Sequence, residues 1–291
     1  MFFAAGEIKV GETLTRGRLG LERHVMIHVI EHAGTVFDTR FVPPSPHGVD
    51  RLMLFVVLDG KMTWHAPWSQ SFEAPCVFRM GCEDHDGYSG HRRQTFRASG
   101  PVFRSVEVRT MVPNHRAPAE LAPCSPEVLE QLRRHIDAFC CSTADDATPH
   151  ATSFLRVLEE LKLLPPGTAG SVRQHEDDGM ARVWSSLSPL YTRFRLSASV
   201  KDIASGIAIS PRHAARLLST LLREFRTVPM PWRQLLVDFR LKTAVQLLSN
   251  ESLSMREIAE AVGYGQPEAL TAAFRKSGLA APSAIRVQLR E

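Results

Sequence analysis

Two arginines four residues apart, Arg212 and Arg216, are the side chains best suited to reading a nucleic acid. A guanidinium is planar and can donate two hydrogen bonds at once to O6 and N7 of guanine, and a spacing of four puts both forks on one helix face. Around them Ile203, Ala204 and Ile207 form the inner face of one short helix, Ile209 fills a turn, and Ala214, Leu217 and Leu218 form the inner face of the next. Arg212, His213, Ala215 and Arg216 are left pointing outward. Ser210 stands as N-cap with Pro211 at the first helical position, so the helix start also offers amides to a phosphate. On their own the two arginines would read as solvated surface charges; the pattern around them argues for more.

The same apolar spacing returns about 55 positions later. Ile258, Ala259 and Val262 lead to Gly263 at a turn, and Leu270, Ala273 and Phe274 line the following inner face. Two short helices joined by a tight turn suit a DNA groove. The outward face of this copy is poorer: Gln266, Pro267, Glu268, Thr271 and Ala272. A glutamate can accept from cytosine N4 but repels phosphate, so this half is expected to add less affinity. Arg275 and Lys276 suit either phosphate contact or the negative end of the helix dipole. Between the copies, Trp232 to Leu248 predicts one long helix, able to hold the two units about 34 Å apart, one turn of DNA.

Other constellations are weaker. Eleven of the twelve histidines precede Met180, which invites a metal reading. The tightest group, Cys76, Cys82, His85 and His91 with Glu83, Asp84 and Asp86 among them, lacks the closely paired spacing of zinc ligands and reads as a polar loop. His24, His28 and His32 lie among β-branched residues, where a step of four residues spans about 13 Å. No metal site or cofactor is expected. There is no His-x-His pair with a following carboxylate, no Gly-rich phosphate loop and no nucleophile elbow, so no enzymatic activity is expected either. Trp64, His65, Trp68 and Phe78 are candidates to line an effector pocket, although aromatic residues in a small barrel also serve simply as core.

The elements that must position these residues fall into two halves. From about Arg23 to Val112 the chain reads as β: residues 25–30, 52–58 and 102–108 are rich in branched and aromatic side chains, and Pro43-Pro44, Asp59-Gly60 and Asp86-Gly87 mark turns. Residues 126–141 change to helical period behind Ser125 as N-cap, and a second helix is expected from Phe154 to Leu164. These helices pack on their own domain or offer an edge for pairing with a second copy. Pro165 to Gly170 and the polar run after it have linker composition. The division expected is therefore 1–165, a linker over 166–180, and an all-helical 181–291.

The chain has 291 residues, room for about two domains. Its longest apolar run, Leu52 to Leu58, is far shorter than the roughly 18 to 20 residues that span a bilayer, and the start does not read as a secretion signal. Five cysteines without a regular framework argue against a disulfide-stapled domain. A cytoplasmic protein with no membrane partner is expected. The net charge of +4 is unevenly spread: residues 182–291 hold 16 Lys and Arg against 8 Asp and Glu, which is +8 there and −4 elsewhere. That is a footprint for a polyanion.

Taken together, the Ile203-Ala204 to Leu218 unit, the Arg240-Leu241 to Leu247-Leu248 helix, and the run from Ser254-Met255-Arg256-Glu257-Ile258-Ala259 through Gly263-Tyr264 to Phe274 resemble the DNA-binding domain of the AraC/XylS family of transcription regulators. The resemblance covers about residues 181–290. It implies that Arg212, Ala215 and Arg216 face bases in the first unit and Pro267, Glu268 and Ala272 in the second. It also implies an α+β chain, in which an N-terminal cupin-like β-barrel with a helical dimerisation element senses an effector and controls promoter binding by a C-terminal double helix-turn-helix domain. The partners it implies are double-stranded DNA, a second copy of the chain, and a small-molecule effector or regulatory protein, with RNA polymerase admissible as a further one. The alternative from another class is a metal-dependent cupin-type enzyme or metal sensor with an attached DNA-localising domain. Three departures from the family pattern stand out, beside Ala272 in place of a frequent arginine. Ala208 replaces a turn glycine, about six extra residues follow Leu218, and Gly278-Leu279 reverses the usual order near the end.

Overall fold

The computed structural model describes residues 2–22, 25–43, 52–66, 69–80, 95–110, 120–143, 146–172, 182–184, 199–224 and 232–290. The first half is one nine-stranded antiparallel sheet: β1 (Phe2–Val10), β2 (Thr13–Leu21), β3 (Val25–Ala33), β4 (Phe37–Asp38), β5 (Leu52–Ala66), β6 (Gln70–Glu73), β7 (Cys76–Met80), β8 (Thr95–Thr110) and β9 (Glu120–Ala122). The ladders run β1-β2-β3-β8-β5-β7-β9, with β4 on β8 and β6 on β5. The β1–β2 hairpin precedes the region expected to be β. It is built from small and polar residues, with Gly6, Thr13, Thr15, Gly17 and Gly20 buried, so it lacks the bulky alternation by which strands are recognised. A two-residue turn, Gly11-Glu12, closes it, with Gly11 at φ 59°.

β5 and β8 are long, and their pairing slips at Val57/Asp59, Asp59/Lys61 and Trp64/Ala66. Such bulges bend a strand and increase its twist. Gly60 sits at the bend with φ 84°, and a Cβ there would lie 2.7 Å from the Ser99 carbonyl oxygen, so no larger residue fits without a shift. Because side chains alternate along a strand, β5 feeds two cores. Leu54, Val56 and Leu58 join Val25, Ile27, Val29, Val106 and Val108 under the helices, while Phe55 and Val57 join Trp64, Phe72, Phe78 and Phe103 in an aromatic cluster.

Two helices cover the first of these cores. α1 (Pro126–Cys141) starts at Ser125, whose hydroxyl accepts from the Val128 amide, and buries Leu132, Ile136 and Phe139. α2 (Ala147–Glu160) begins one to two turns before the expected start, because small Ala147 and Ala151 extend the buried stripe of Phe154, Leu155 and Leu158. It ends with Lys162 in the left-handed region at φ 59° and the Leu163 amide bonded back to Leu158, the closure usually given to glycine. The expected linker starts inside the packed region. Ala169 and Val172 are buried in the same core, and the Ala169 amide donates to Glu159. The packed N-terminal unit thus reaches Val172 instead of ending at Pro165, while 173–181 lie outside the described residues.

The second half is helical: α3 (Val200–Gly206), α4 (Pro211–Glu224), α5 (Trp232–Leu248), α6 (Met255–Ala261), α7 (Pro267–Lys276) and α8 (Pro282–Gln288). α5 has the extent read from the sequence. Leu241 and every residue from Thr243 to Leu248 are buried, the signature of a helix enclosed on all sides. One side packs on Ile258, Val262, Leu270, Phe274 and Ile285, and the same cluster takes in Val42 with Val10, Val36, Phe37 and Phe41 of the N-terminal unit. The Val36 amide donates to Ser249 Oγ at 2.8 Å, Asn250 Nδ2 donates to Thr13 Oγ1, and Arg97 Nη2 donates to the Leu289 carbonyl at 2.8 Å. His28 and Glu107 at this junction feel Lys242 of α5.

On β3, His32 is 1 % exposed and stacks on Phe103 at 4.9 Å. Burial pushes its imidazole down to about 4, and His28 moves the same way, mainly through burial. The unfolded chain, with an ordinary imidazole near 6.5, therefore takes up protons first as pH falls. Stability should be full above about pH 6.5 and decline toward pH 4, with His32 accounting for about 3 kcal/mol of the loss. Urea midpoints across that range should show it, and His32→Leu should flatten the slope; an unchanged slope would place the effect elsewhere. In the C-terminal half, Ala208 occupies the left-handed region at φ 54°, which disfavours any residue with a Cβ. Ala208→Gly should therefore raise the urea midpoint at constant m-value, by about 0.5 to 1 kcal/mol after the added freedom of the unfolded chain is deducted.

Candidate nucleic-acid interface

The two helix-turn-helix units are built by the same local chemistry. α3 opens with a capping box in which Ser199 Oγ accepts from the Asp202 amide and the Asp202 carboxylate accepts from the Ser199 amide; α6 repeats this with Ser254 and Glu257. These hydrogen bonds hold the Asp202 and Glu257 carboxyls below the usual carboxylate range. Both helices end alike. The Ile209 amide bonds back to Ala204 and the Tyr264 amide to Ala259, with Ala208 and Gly263 in the left-handed region between. The S-x-x-D and S-x-x-E spacing, legible in the sequence, is a signal that the reading from apolar spacing passed over.

The turns deliver α4 and α7 with their expected faces outward. On α4, Ala214 and Leu218 are buried, while Ser210, Arg212, His213, Ala215 and Arg216 are exposed. Ser210 Oγ accepts from the His213 amide at 3.2 Å, so this helix start is capped by its own side chain. Arg212 and Arg216 stand one turn apart, as a base-reading pair requires. α4 has 14 residues against 10 in α7, in line with the extra residues noted after Leu218.

On α7, Leu270 and Phe274 are buried, while Gln266, Glu268, Arg275 and Lys276 are exposed. Gln266 is extended and makes no side-chain cap bond, so the opening amides of α7 have no side-chain acceptor from that residue. Thr271 is half-buried and donates its hydroxyl to the Pro267 carbonyl, which leaves only its acceptor side for a base. Arg275 and Lys276 occupy the last turn, at the end away from the helix start and favourably placed on the helix dipole. Gly278 follows at φ 72° with the Leu279 amide bonded to Phe274. The reversed Gly-Leu order thus puts glycine where the helix stop needs it.

The candidate effector residues are divided by the fold. Trp64 and Phe78 are each 1 % exposed and pack against each other at 5.6 Å within the aromatic core. They fill the interior alongside Phe55, Phe72 and Phe96. His65 is only partly buried; burial and Arg40 push its imidazole down against the pull of Asp38. Trp68 lies outside the described residues. Cys82, His85 and His91, with Glu83, Asp84 and Asp86, also lie outside them. Cys76 is described, and burial raises its thiol to about 11. Among the described residues no group of three or more His, Cys, Asp or Glu side chains is placed to hold a metal ion, and no helix is long and apolar enough to cross a membrane.

A family model for a helix-turn-helix domain matches residues 203–288. No curated protein sequence matches the chain. Among solved structures, ToxT from Vibrio cholerae O395 is 13 % identical, covers 92 % of this chain and 99 % of its own, and has a TM-score of 0.38. The AraC-like transcriptional activator CuxR is 10 % identical over 76 % of this chain and 80 % of its own, with a TM-score of 0.31. A DNA-binding transcriptional dual regulator from Escherichia coli K-12 is 21 % identical over 40 % of this chain and 97 % of its own, with a TM-score of 0.30. With the family match spanning both units and each unit carrying the same capped, left-handed turn, residues 203–288 are a helix-turn-helix domain.

Proposed function

We propose that the N-terminal unit is a sensor that controls promoter occupancy through α5, and that Arg212 and Arg216 are the principal base-reading side chains. The observation that carries the first part is the shared core: Val42, 4 % exposed, is buried among the residues of α5 to α8. An apolar contact of this kind couples two units, because separating them exposes surface on both. A small molecule or regulatory protein that binds the N-terminal unit differently in its docked and undocked arrangements would shift their populations, and with them the placement of the second helix-turn-helix unit. The working form is a homodimer, with α1 or α2 offering the pairing edge, and RNA polymerase is met at the promoter. The division of labour is a sensor from residue 1 into the segment after Val172 and a DNA-binding domain from about 181 onward. The protein acts as a regulator and not as an enzyme.

The second part rests on exposure and spacing. Both guanidiniums are solvent-facing on the outer face of α4, with no carboxylate among the described exposed side chains of that face.

Arg212→Ala with Arg216→Ala should weaken binding to a duplex enriched from a random library by the full chain. The expected loss is about 2 to 4 kcal/mol, with the circular dichroism spectrum unchanged. Gel-shift titration reads this, and no loss would remove both residues from the interface. Wild-type affinity should also fall steeply and log-linearly with salt, as released counterions require. At the junction, Ser249→Ala with Asn250→Ala removes two side-chain links, each worth about 1 kcal/mol. Calorimetry should then show the two units melting less cooperatively, and an unaltered single transition would assign the coupling to the apolar contact alone.

A further inference from the structure

Each helix-turn-helix turn is met from behind by an arginine of the helical segment that precedes it. In the first unit, Arg182 Nη2 donates to the Ile207 carbonyl at 2.8 Å. In the second, Arg240 of α5 lies with its Cζ 5.4 Å from the centroid of the Tyr264 ring, and a Cβ placed on Gly263 would come within 3.4 Å of Arg240 Cζ and Nη2. Ile207 and Val262 are equivalent C-cap positions of α3 and α6, so both arginines reach the same turn. Their means differ: a hydrogen bond to a carbonyl in the first unit, and a flat guanidinium against a glycine backbone and an aromatic face in the second.

We infer that Arg240 is a positioning residue for DNA reading, fixing the place of the Gly263-Tyr264 turn from which α7 starts and thereby the register of Gln266 and Glu268 on the duplex; this rests on the DNA-binding reading above. Gln266 and Glu268 follow Tyr264 by only two and four residues, so a displacement of the turn passes to them almost whole, and about 1 Å is more than a base-edge hydrogen bond tolerates. α5 is the right place for such a buttress, since it is enclosed between the N-terminal unit and the second helix-turn-helix unit. The turn glycine then has a second reason beyond its φ of 82°: a Cβ at 263 already reaches van der Waals contact with the guanidinium at 3.4 Å, so a side chain longer than alanine's has little room on that side. Ala208 shows that the φ alone does not force glycine, for it holds the same conformation with a Cβ.

The test uses the full chain and a duplex that it enriches from a random library, scanned by single base-pair substitutions. Gln266→Ala and Glu268→Ala define the base pairs read by α7, and Arg212→Ala those read by α4. Arg240→Ala should lower affinity by about tenfold, the value of one well-made base contact, and flatten the substitution penalties at the α7 positions while sparing the α4 positions. Gly263→Asn, which tolerates the left-handed backbone and adds bulk beyond Cβ, should give the same pattern. Arg240→Lys, which keeps the charge but loses the plane, should restore little of it. Should Arg240→Ala unfold the chain, Arg240→Lys and Gly263→Asn carry the same comparison. Loss spread evenly over both sets of positions would mark Arg240 as a stabilising residue only and overturn the inference, as would an unchanged profile. If no base pair answers to Gln266 or Glu268 while Arg212 positions are clear, α7 reads nothing and the inference fails with the DNA-binding function intact. If the wild-type chain enriches no sequence, both fail.

Discussion

The enclosure of α5 is the constraint on which the rest of this structure depends. A helix buried over Leu241 and from Thr243 to Leu248 cannot be stable in water by itself, and among the described residues its cover comes from two sources. One is the bundle of α6, α7 and α8; the other is the edge of the N-terminal sheet at Val36, Phe37, Phe41 and Val42. The N-terminal unit therefore completes the core of the helical half. The polar links at Ser249, Asn250 and Leu289 add direction to a contact whose strength comes from apolar burial.

The two DNA-reading units are consequently held in different ways. The second shares its core with α5 and the sheet, whereas Ile203, Ala204, Ala214 and Leu218, buried in the first, are not among the described residues of that cluster. The segment before the first unit is tied to the sheet by a hydrogen bond instead, from Trp184 Nε1 to the Phe3 carbonyl at 3.0 Å, and Arg182 beside it donates to Ile207.

Much of the helical half was legible in the sequence because its periodicity is complete and local. The inner and outer faces of α4 and α7 and the extent of α5 follow from spacing, and Ala208 was marked as a turn position by the family resemblance. The N-terminal hairpin was not legible, since Gly6, Thr13, Thr15 and Gly17 carry no strand pattern of their own and are held as strands by the pairing of β1 with β2 and of β2 with β3, whose own pattern is clear. The start of α2 was missed for a related reason: Ala147 and Ala151 are too small to mark a stripe until the sheet beneath them shows what they cover. Trp64 and Phe78 show the converse case. Their chemistry suits either a pocket or a core, and packing at 5.6 Å makes them core.

By itself, the sequence determined that there are two helix-turn-helix units, which way their recognition helices face, and that positive charge gathers in that half. These are properties of neighbours in the chain, set by hydrogen bonds and apolar spacing over a few turns of helix. Only the tertiary structure decided that α5 is closed over by the sheet edge, that Ala169 and Val172 join the N-terminal core, and that Arg182 and Arg240 meet the turns from behind. Those depend on contacts between segments separated by tens to hundreds of residues, where residue type permits many partners and close packing selects one.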